Sequence, residues 1–476
     1  DLKPDLLIYT YGFTQAKLNL SCSLFKLRFS QSFGSIMFNT ISMIGLGYIG
    51  LPTATLFASR QKKVIGVDVN QRVVDTVNQG KIHIVEPDLD MLVHAAVTEG
   101  YLRATTKPES ADAFLIAVPT PFMDGHKPDL SYIESAAKLI APVLAKDNLI
   151  ILESTSPVGA TEKLSDWLAK ERPDLTFPQQ AGEEADVQVA HCPERVLPGK
   201  VVHELVDNDR VIGGMTAKAT SMASELYRIF VQGELIATDA RTAEMCKLTE
   251  NSFRDVNIAF ANELSMICDE LKINVWELIS LANRHPRVNI LQPGAGVGGH
   301  CIAVDPWFIV DSVPDQSKII RTAREVNDYK PEWIVEKVKA AITDVLSASP
   351  DKKISDVKVA CLGLAFKPDI DDLRESPALE IADQIAKLGC TILPVEPNIE
   401  DPSEHPSLND FVLRSLDTAL DQADVICVLV KHKHFVAVAD QICAHARVID
   451  SVGLTGSVPD VLRTRAQPSH RTAQAV

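Results

Sequence analysis

Residues 40–50 read TISMIGLGYIG, an apolar run from Thr40 to Ile44 that breaks at once into glycines at 45, 47 and 50. The run predicts a buried strand, and Leu51 to Arg60 has helical spacing, with Pro52 tolerated in the first turn. A second apolar strand, VIGVD, ends in Asp68, 18 residues beyond Gly50. Strand, glycine turn, helix, strand and acid together form the unit that binds dinucleotides. The glycines admit a pyrophosphate to the helix N-terminus, where unpaired N–H groups and the helix dipole favour an anion. Gly45, Gly47 and Gly50, with Tyr48 and Ile49 between them, are the candidate cofactor contacts. Asp68 would accept bonds from the adenosine ribose hydroxyls and repel a 2′-phosphate, which selects NAD over NADP.

Further buried strands follow. AFLIAVPTPF places Thr120 just past a strand end, and LIILESTSPVG does the same for Glu153, Ser154 and Thr155. In a doubly wound sheet ligands lie beyond the carboxyl ends of the strands, so topology brings Thr120, Glu153 and Thr155 to the site. The alternative for each is a local turn or cap. VQVAHCPERVLPGK runs a strand into Pro193, with Glu194 and Arg195 beyond it. A surface ion pair would contribute little there, and the strand terminus favours a site carboxylate.

Thr242 to Ala282 contains neither proline nor glycine and repeats apolar residues three and four apart. It reads as one long helix breaking near 272–274, then a shorter one, and it is also a plausible dimer surface. Lys247 and Asn251, four apart, share one face of it. The loop RHPRVNILQPGAGVGGHC then carries Arg284, Arg287 and Cys301, and Asp305 follows four residues later. Glycines at 294, 296, 298 and 299 leave this backbone free to approach a ligand, and a thiol on such a loop is a candidate nucleophile. From Val357 alternation restarts as a second Rossmann-like unit without G-x-G-x-x-G. Its first loop holds Lys367 and Arg374, suited to phosphate, among acids at 369, 371, 372 and 375. The expected architecture is two Rossmann-like, doubly wound α/β domains joined by a central helical region. The divisions are 1–37 as an extension ahead of the natural start, 38–236, 237–345, 350–456, and a disordered tail at 457–476.

Composition excludes several classes. The chain has 476 residues and a net charge of −16, which argues against a nucleic-acid surface without forbidding a cationic pocket for a small anion. No apolar run reaches the length that spans a bilayer, so no membrane partner is expected. Nine cysteines without a CxxC pair suit a reduced cytoplasmic protein, and no metal is expected.

The ordered motifs GLGYIG, PTPF, ESTSPVG, CPERVLPG, EMCKLTENSF, GVGGHCIAVDP and GLAFKPDIDDLRESPA resemble the UDP-glucose/GDP-mannose dehydrogenase family over about residues 38–455. PERVLPG and HPRVNILQPGAGVGGHC are similar to the branch acting on UDP-N-acetylhexosamines. Pro198 departs from the UDP-glucose branch, which carries an acid there. The resemblance implies four-electron oxidation of a sugar C6 hydroxymethyl to a carboxylate by two NAD in succession. UDP-N-acetyl-D-mannosamine is the implied substrate, with UDP-N-acetylglucosamine and UDP-glucose as alternatives, and the product is an aminouronic acid for an envelope polysaccharide. Cys301 would be the nucleophile and Lys247 the cation that favours its thiolate. Lys247 and Asn251 would steady the oxyanion, Asp305 and Thr155 the catalytic water, and Glu194 would be the base. Arg195, Val196, Gly294, Gly298 and Lys367 are implied along the sugar nucleotide, and Arg374 beside the cofactor. Arg287 would reach a neighbouring subunit's substrate, implying a homodimer. Two-electron dehydrogenases of the hydroxyacid type remain a rival, separated by counting NADH per substrate.

Overall fold

The apolar run that opens the sequence argument is strand β1 (Thr40–Ile44), and it lies inside the main sheet with neighbours on both sides. The computed structural model describes residues 38–197, 199–299 and 301–454; the extension at 1–37, the tail at 457–476 and Pro198 lie outside the described residues. After β1 come helix α1 (Gly50–Ser59), then β2 (Lys63–Val67), β3 (Leu102–Thr105), β4 (Ala113–Ile116), β5 (Leu149–Leu152), β6 (Gln188–His191), β7 (Arg210–Gly214) and β8 (Leu235–Asp239). They form one sheet in the order β8-β7-β6-β5-β4-β1-β2-β3. All pairs are parallel except β6 with β7.

Strand order reverses between β1 and β4, so their carboxyl ends open the crevice that an open α/β sheet offers to ligands. Residues alternate faces along each strand. Met43, Leu115 and Ile151 pack into the core on one side, and Ile44, Ile116 and Leu152 into the core on the other. A sheet covered on both faces needs continuous apolar strands, which is why these runs were legible without alternation.

The predicted long helix is α2 (Ala240–Leu271), closed by Lys272 in the left-handed conformation at φ 57°. Helix α3 (Val275–Ala282) follows, with Asn274 accepting the N–H groups of Trp276 and Glu277 as its cap. Helices α4 (Asp305–Ser312) and α5 (Lys318–Ala348) complete the centre. Helix α5 falls almost wholly within the span 237–345 expected to be helical, and it continues through Pro331. Helix α5 is tied to α2 by a buried ion pair, Arg324 Nη1 to Asp255 Oδ1 at 2.7 Å. Removing one partner of such a pair costs roughly 3–5 kcal/mol. The exposed Arg241–Glu162 pair contributes little despite the same 2.7 Å separation, because water screens it.

The last unit comprises β9 (Lys358–Leu362), α6 (Pro377–Ala386), β10 (Thr391–Val395), β11 (Val425–Val428) and β12 (Val448–Asp450), with the all-parallel order β10-β9-β11-β12. Its first turn repeats a device of the first unit. Asp68, past β2, accepts the Leu46 N–H at 3.0 Å, and Glu396, past β10, accepts those of Leu364 and Ala365 at 2.8 and 3.0 Å. No helix among the described residues is long and apolar enough to cross a membrane.

Candidate active site

The turn after β1 is built for close approach. A Cβ on Gly50 would lie 1.8 Å from the Gly45 carbonyl oxygen, so the turn closes only with glycine there. A Cβ on Gly47, by contrast, would meet nothing within 4 Å, leaving that backbone open towards the crevice. Tyr48 is exposed and Ile49 half-buried beside it. Asp68 Oδ1 takes the Asn70 N–H at 2.9 Å and Oδ2 that of Leu46, which fixes the carboxylate and leaves lone pairs for a ribose. An open glycine before a helix N-terminus and a fixed acid past β2 fit a dinucleotide.

Cys301 is delivered by the loop between α3 and α4. Its carbonyl accepts the N–H groups of Val304 and Asp305 at 3.2 and 2.9 Å, which places it one turn ahead of α4. Asp305 opens α4 and is buried, and the Asn251 amide donates to its Oδ2 at 2.5 Å. Burial pushes Asp305 up to about 6, against the pull of Asn251 and Lys247.

Cys301 is exposed at the surface of the loop, yet enough protein surrounds it that burial is the largest influence, pushing the thiol up. Asp305 and Glu194 raise it further, whereas Lys247 and Arg374 lower it. Lys247, the expected aid to the thiolate, pulls the thiol down. The net outcome is opposite, because burial and two carboxylates outweigh two cations. Charges from four separate motifs thus act on one sulfur.

The remaining predicted residues are placed as follows. Glu194 is buried and holds the Val196 N–H at 2.9 Å, so Val196 turns its donor inward. Arg195 pairs with Glu250 on α2 at 2.5 Å, the ion-pair alternative weighed for it from sequence. Thr120 donates its hydroxyl to the Thr155 carbonyl at 2.6 Å, joining the ends of β4 and β5, and Thr155 is half-buried. Glu153 is not open to the crevice. It is buried, receives the Tyr227 hydroxyl at 2.5 Å, and is pushed up to about 7 by burial. Gly294 gives its N–H to Asn262 at 2.9 Å. A Cβ on Gly298 would lie 2.4 Å from the Glu375 oxygen, so that glycine serves the seating of the loop on the last unit. Arg374 pairs with Asp372 and sits 5.9 Å from the Tyr48 ring, between the cofactor turn and Cys301. Arg284, Arg287 and Lys367 are exposed. A cleft of about 690 Å³, whose walls include Val297, Ala303, Trp307 and Asn327, runs beside the loop towards Glu375.

Two carboxylates that organise the site were missed. Glu244 on α2 is buried and accepts the N–H groups of Gly159 and Thr161 at 2.6 and 2.8 Å, pinning ESTSPVG to the helix. Glu86 accepts those of Gly199 and Val201 at 2.8 and 2.7 Å, holding the PERVLPG loop. Glu244 lies three and seven residues from Lys247 and Asn251, a spacing that could have exposed it. Nothing local marks Glu86.

Residues 39–231 match the NAD-binding domain of the UDP-glucose/GDP-mannose dehydrogenase family, residues 241–329 its central domain and residues 360–456 its UDP-binding domain. The chain belongs to that family. This dehydrogenase is 65% identical over 419 residues to the UDP-N-acetyl-D-mannosamine dehydrogenase of Yersinia pestis, covering 88% of this chain and 99% of that one. It is 63% identical over 421 residues to the NDP-N-acetyl-D-galactosaminuronic acid dehydrogenase of Ralstonia nicotianae, covering 88% and 97%. Among solved structures, the UDP-D-ManNAc dehydrogenase of Pyrococcus horikoshii superposes with a TM-score of 0.77 at 37% identity, over 87% of this chain and 96% of that one.

Proposed function

We propose that this dehydrogenase oxidises C6 of UDP-N-acetyl-D-mannosamine to the carboxylate, giving UDP-N-acetyl-D-mannosaminuronate for an envelope polysaccharide. The observation that carries the reading is the convergence on Cys301 of Asp305, Lys247, Glu194 and Arg374. An alcohol oxidation alone needs no such thiol, whereas oxidation of an aldehyde to an acid gains from covalent capture. When bound, NAD supplies the hydride acceptor for both oxidations.

The Cys301 thiolate adds to the C6 aldehyde, and hydride loss leaves a thioester. Lys247 and Asn251 steady the developing oxyanion. Asp305 and Thr155 hold water near the acyl carbon. Glu194 takes a proton from that water as its oxygen attacks, and the C–S bond breaks to return the thiolate. Gly45, Gly47, Tyr48, Ile49, Gly50, Asp68, Thr120 and Arg374 hold the cofactor, and Arg195, Val196, Gly294, Gly298 and Lys367 border the sugar nucleotide. The first unit takes NAD, the last takes UDP, and the helices between them present the nucleophile.

A homodimer is part of the proposal, with Arg287 reaching the neighbour's substrate. Supporting it, Phe253, Phe260, Ile267 and Leu271 are exposed on α2 at intervals of seven, seven and four, an apolar stripe of the kind that packs against another helix. We place the enzyme in the cytoplasm. The eight cysteines among the described residues are all unpaired, as a reducing compartment requires.

The epimer is the finest point, since 65% and 63% identity to the mannosamine and galactosaminuronic relatives are nearly equal. A panel of UDP-N-acetylmannosamine, UDP-N-acetylglucosamine, UDP-N-acetylgalactosamine and UDP-glucose, read by NADH absorbance, decides it. The expected result is two NADH per sugar and the highest kcat/KM for the mannosamine. One NADH per sugar would restore the two-electron class, and preference for another sugar would replace the substrate. Asp68→Ala should weaken NAD binding by about 10-fold and narrow the preference over NADP, because its carboxylate both accepts from ribose and repels phosphate. An unchanged cofactor ratio removes Asp68 from that role.

A further inference from the structure

Glu244, Asn251, Asp255 and Asn262 follow one another on α2 at intervals of seven, four and seven, and all four are buried. Each grips a different segment. Glu244 holds Gly159 and Thr161, Asn251 holds Asp305, Asp255 holds Arg324 on α5, and Asn262 holds Gly294. Two of these grips lie on either side of the same cysteine: Gly294 is seven residues before Cys301 and Asp305 four residues after it.

We propose that Asn262 is a positioning residue for Cys301, holding the entry of the catalytic loop to α2 as Asn251 holds its exit. This rests on the reading of Cys301 as nucleophile. The amide of Asn262 has one orientation that satisfies its surroundings. Its oxygen takes the Gly294 N–H at 2.9 Å, and its nitrogen donates to Asn327 Oδ1 at 2.9 Å. Asn327 in turn donates to Asp255 Oδ1 at 2.8 Å, where Arg324 Nη1 also donates at 2.7 Å. Rotating any member strands a buried donor, so the chain of bonds holds the amide still.

The loop needs such an anchor. Between Gly294 and Cys301 it contains Gly296, Gly298 and Gly299, which lose more conformational freedom on ordering than any other residue and have no side chains to lock. A nucleophile must be held within roughly 0.5 Å of its working position. The Phe366 ring and the Glu375 backbone support the loop from the last unit, and Asn262 and Asn251 fix its two ends on the helix.

Asn262→Ala tests this, with Ile342→Ala as a comparator. Ile342 is buried on the same α5 that carries Asn327, three turns beyond Pro331, in the core of the last unit, so its truncation destabilises the fold while leaving the hydrogen bonds of Asn262, Asn327 and Asp255 in place. In Asn262→Ala, kcat is expected to fall about 10-fold or more with the KM for NAD within about twofold of the parent, and iodoacetamide should alkylate Cys301 several-fold faster because the loop is looser. Ile342→Ala should keep both kcat and the alkylation rate within about twofold at a matched loss of Tm. If Asn262→Ala does not fold, Asn262→Ser is read in the same way. A parental kcat in the Asn262 variant, or an equal loss of kcat in the comparator, overturns the proposal. Normal turnover by Cys301→Ser would instead sink the nucleophile itself, so the two failures are distinguishable.

Discussion

Replacing Cys301 with serine should lower uronate formation by roughly 10³-fold or more while NAD binding stays within about twofold. A hydroxyl differs from a thiol in both halves of the proposed cycle. It ionises far less readily near neutrality, and an alkoxide leaves an acyl carbon less readily than a thiolate. The site offers little to make up the difference. Burial, Asp305 and Glu194 already disfavour the anion at residue 301, and only Lys247 and Arg374 favour it. The glycine turn and Asp68 proposed to hold the cofactor belong to β1, α1 and the end of β2, far along the chain from residue 301, so the variant should still bind cofactor. Uronate formed at the parental rate would remove covalent capture from the mechanism. The measurement is product formation beside a cofactor titration on the same preparation.

Glu194→Gln should slow turnover by roughly 10²–10⁴-fold and leave a sugar acyl group on Cys301. Glutamine keeps the size and can still accept the Val196 N–H that Glu194 now takes at 2.9 Å, so the loop geometry should survive. What it cannot do is accept a proton from water. Both hydride transfers precede that step, so the variant should release about two NADH per site in a first burst and then stall. Intact-protein mass spectrometry of the stalled enzyme should show the adduct, and peptide mapping should locate it at Cys301. Free enzyme with unimpaired turnover would take the role of base from Glu194.

The two variants probe groups that differ in how they could be found. Glu194 and Cys301 announce themselves locally, one at a strand terminus and one behind a run of glycines. The strands did so as well, since a sheet covered on both faces leaves unbroken apolar runs, and the glycine turn after β1 is a backbone requirement that any neighbour would impose. The central span 237–345 was expected to be helical, but the bounds of α5, which runs on through Pro331, came only with the structure. Glu153 was expected at the crevice because it follows a strand end, but Tyr227, 74 residues later, turns its carboxylate inward.

Sequence alone determined most of the strands, their doubly wound arrangement and the family, because strand runs, glycine turns and motif order are written in residues close together along the chain. Tertiary structure alone decided which groups meet. Glu86 reaching Gly199 across 113 residues and Asn262 reaching Gly294 depend on how separate elements pack, which no local pattern encodes. The state of the Cys301 thiol belongs with these. Three of its four charged neighbours come from distant segments, and the sign of their combined effect follows from burial and distance, quantities that exist only once the chain is folded.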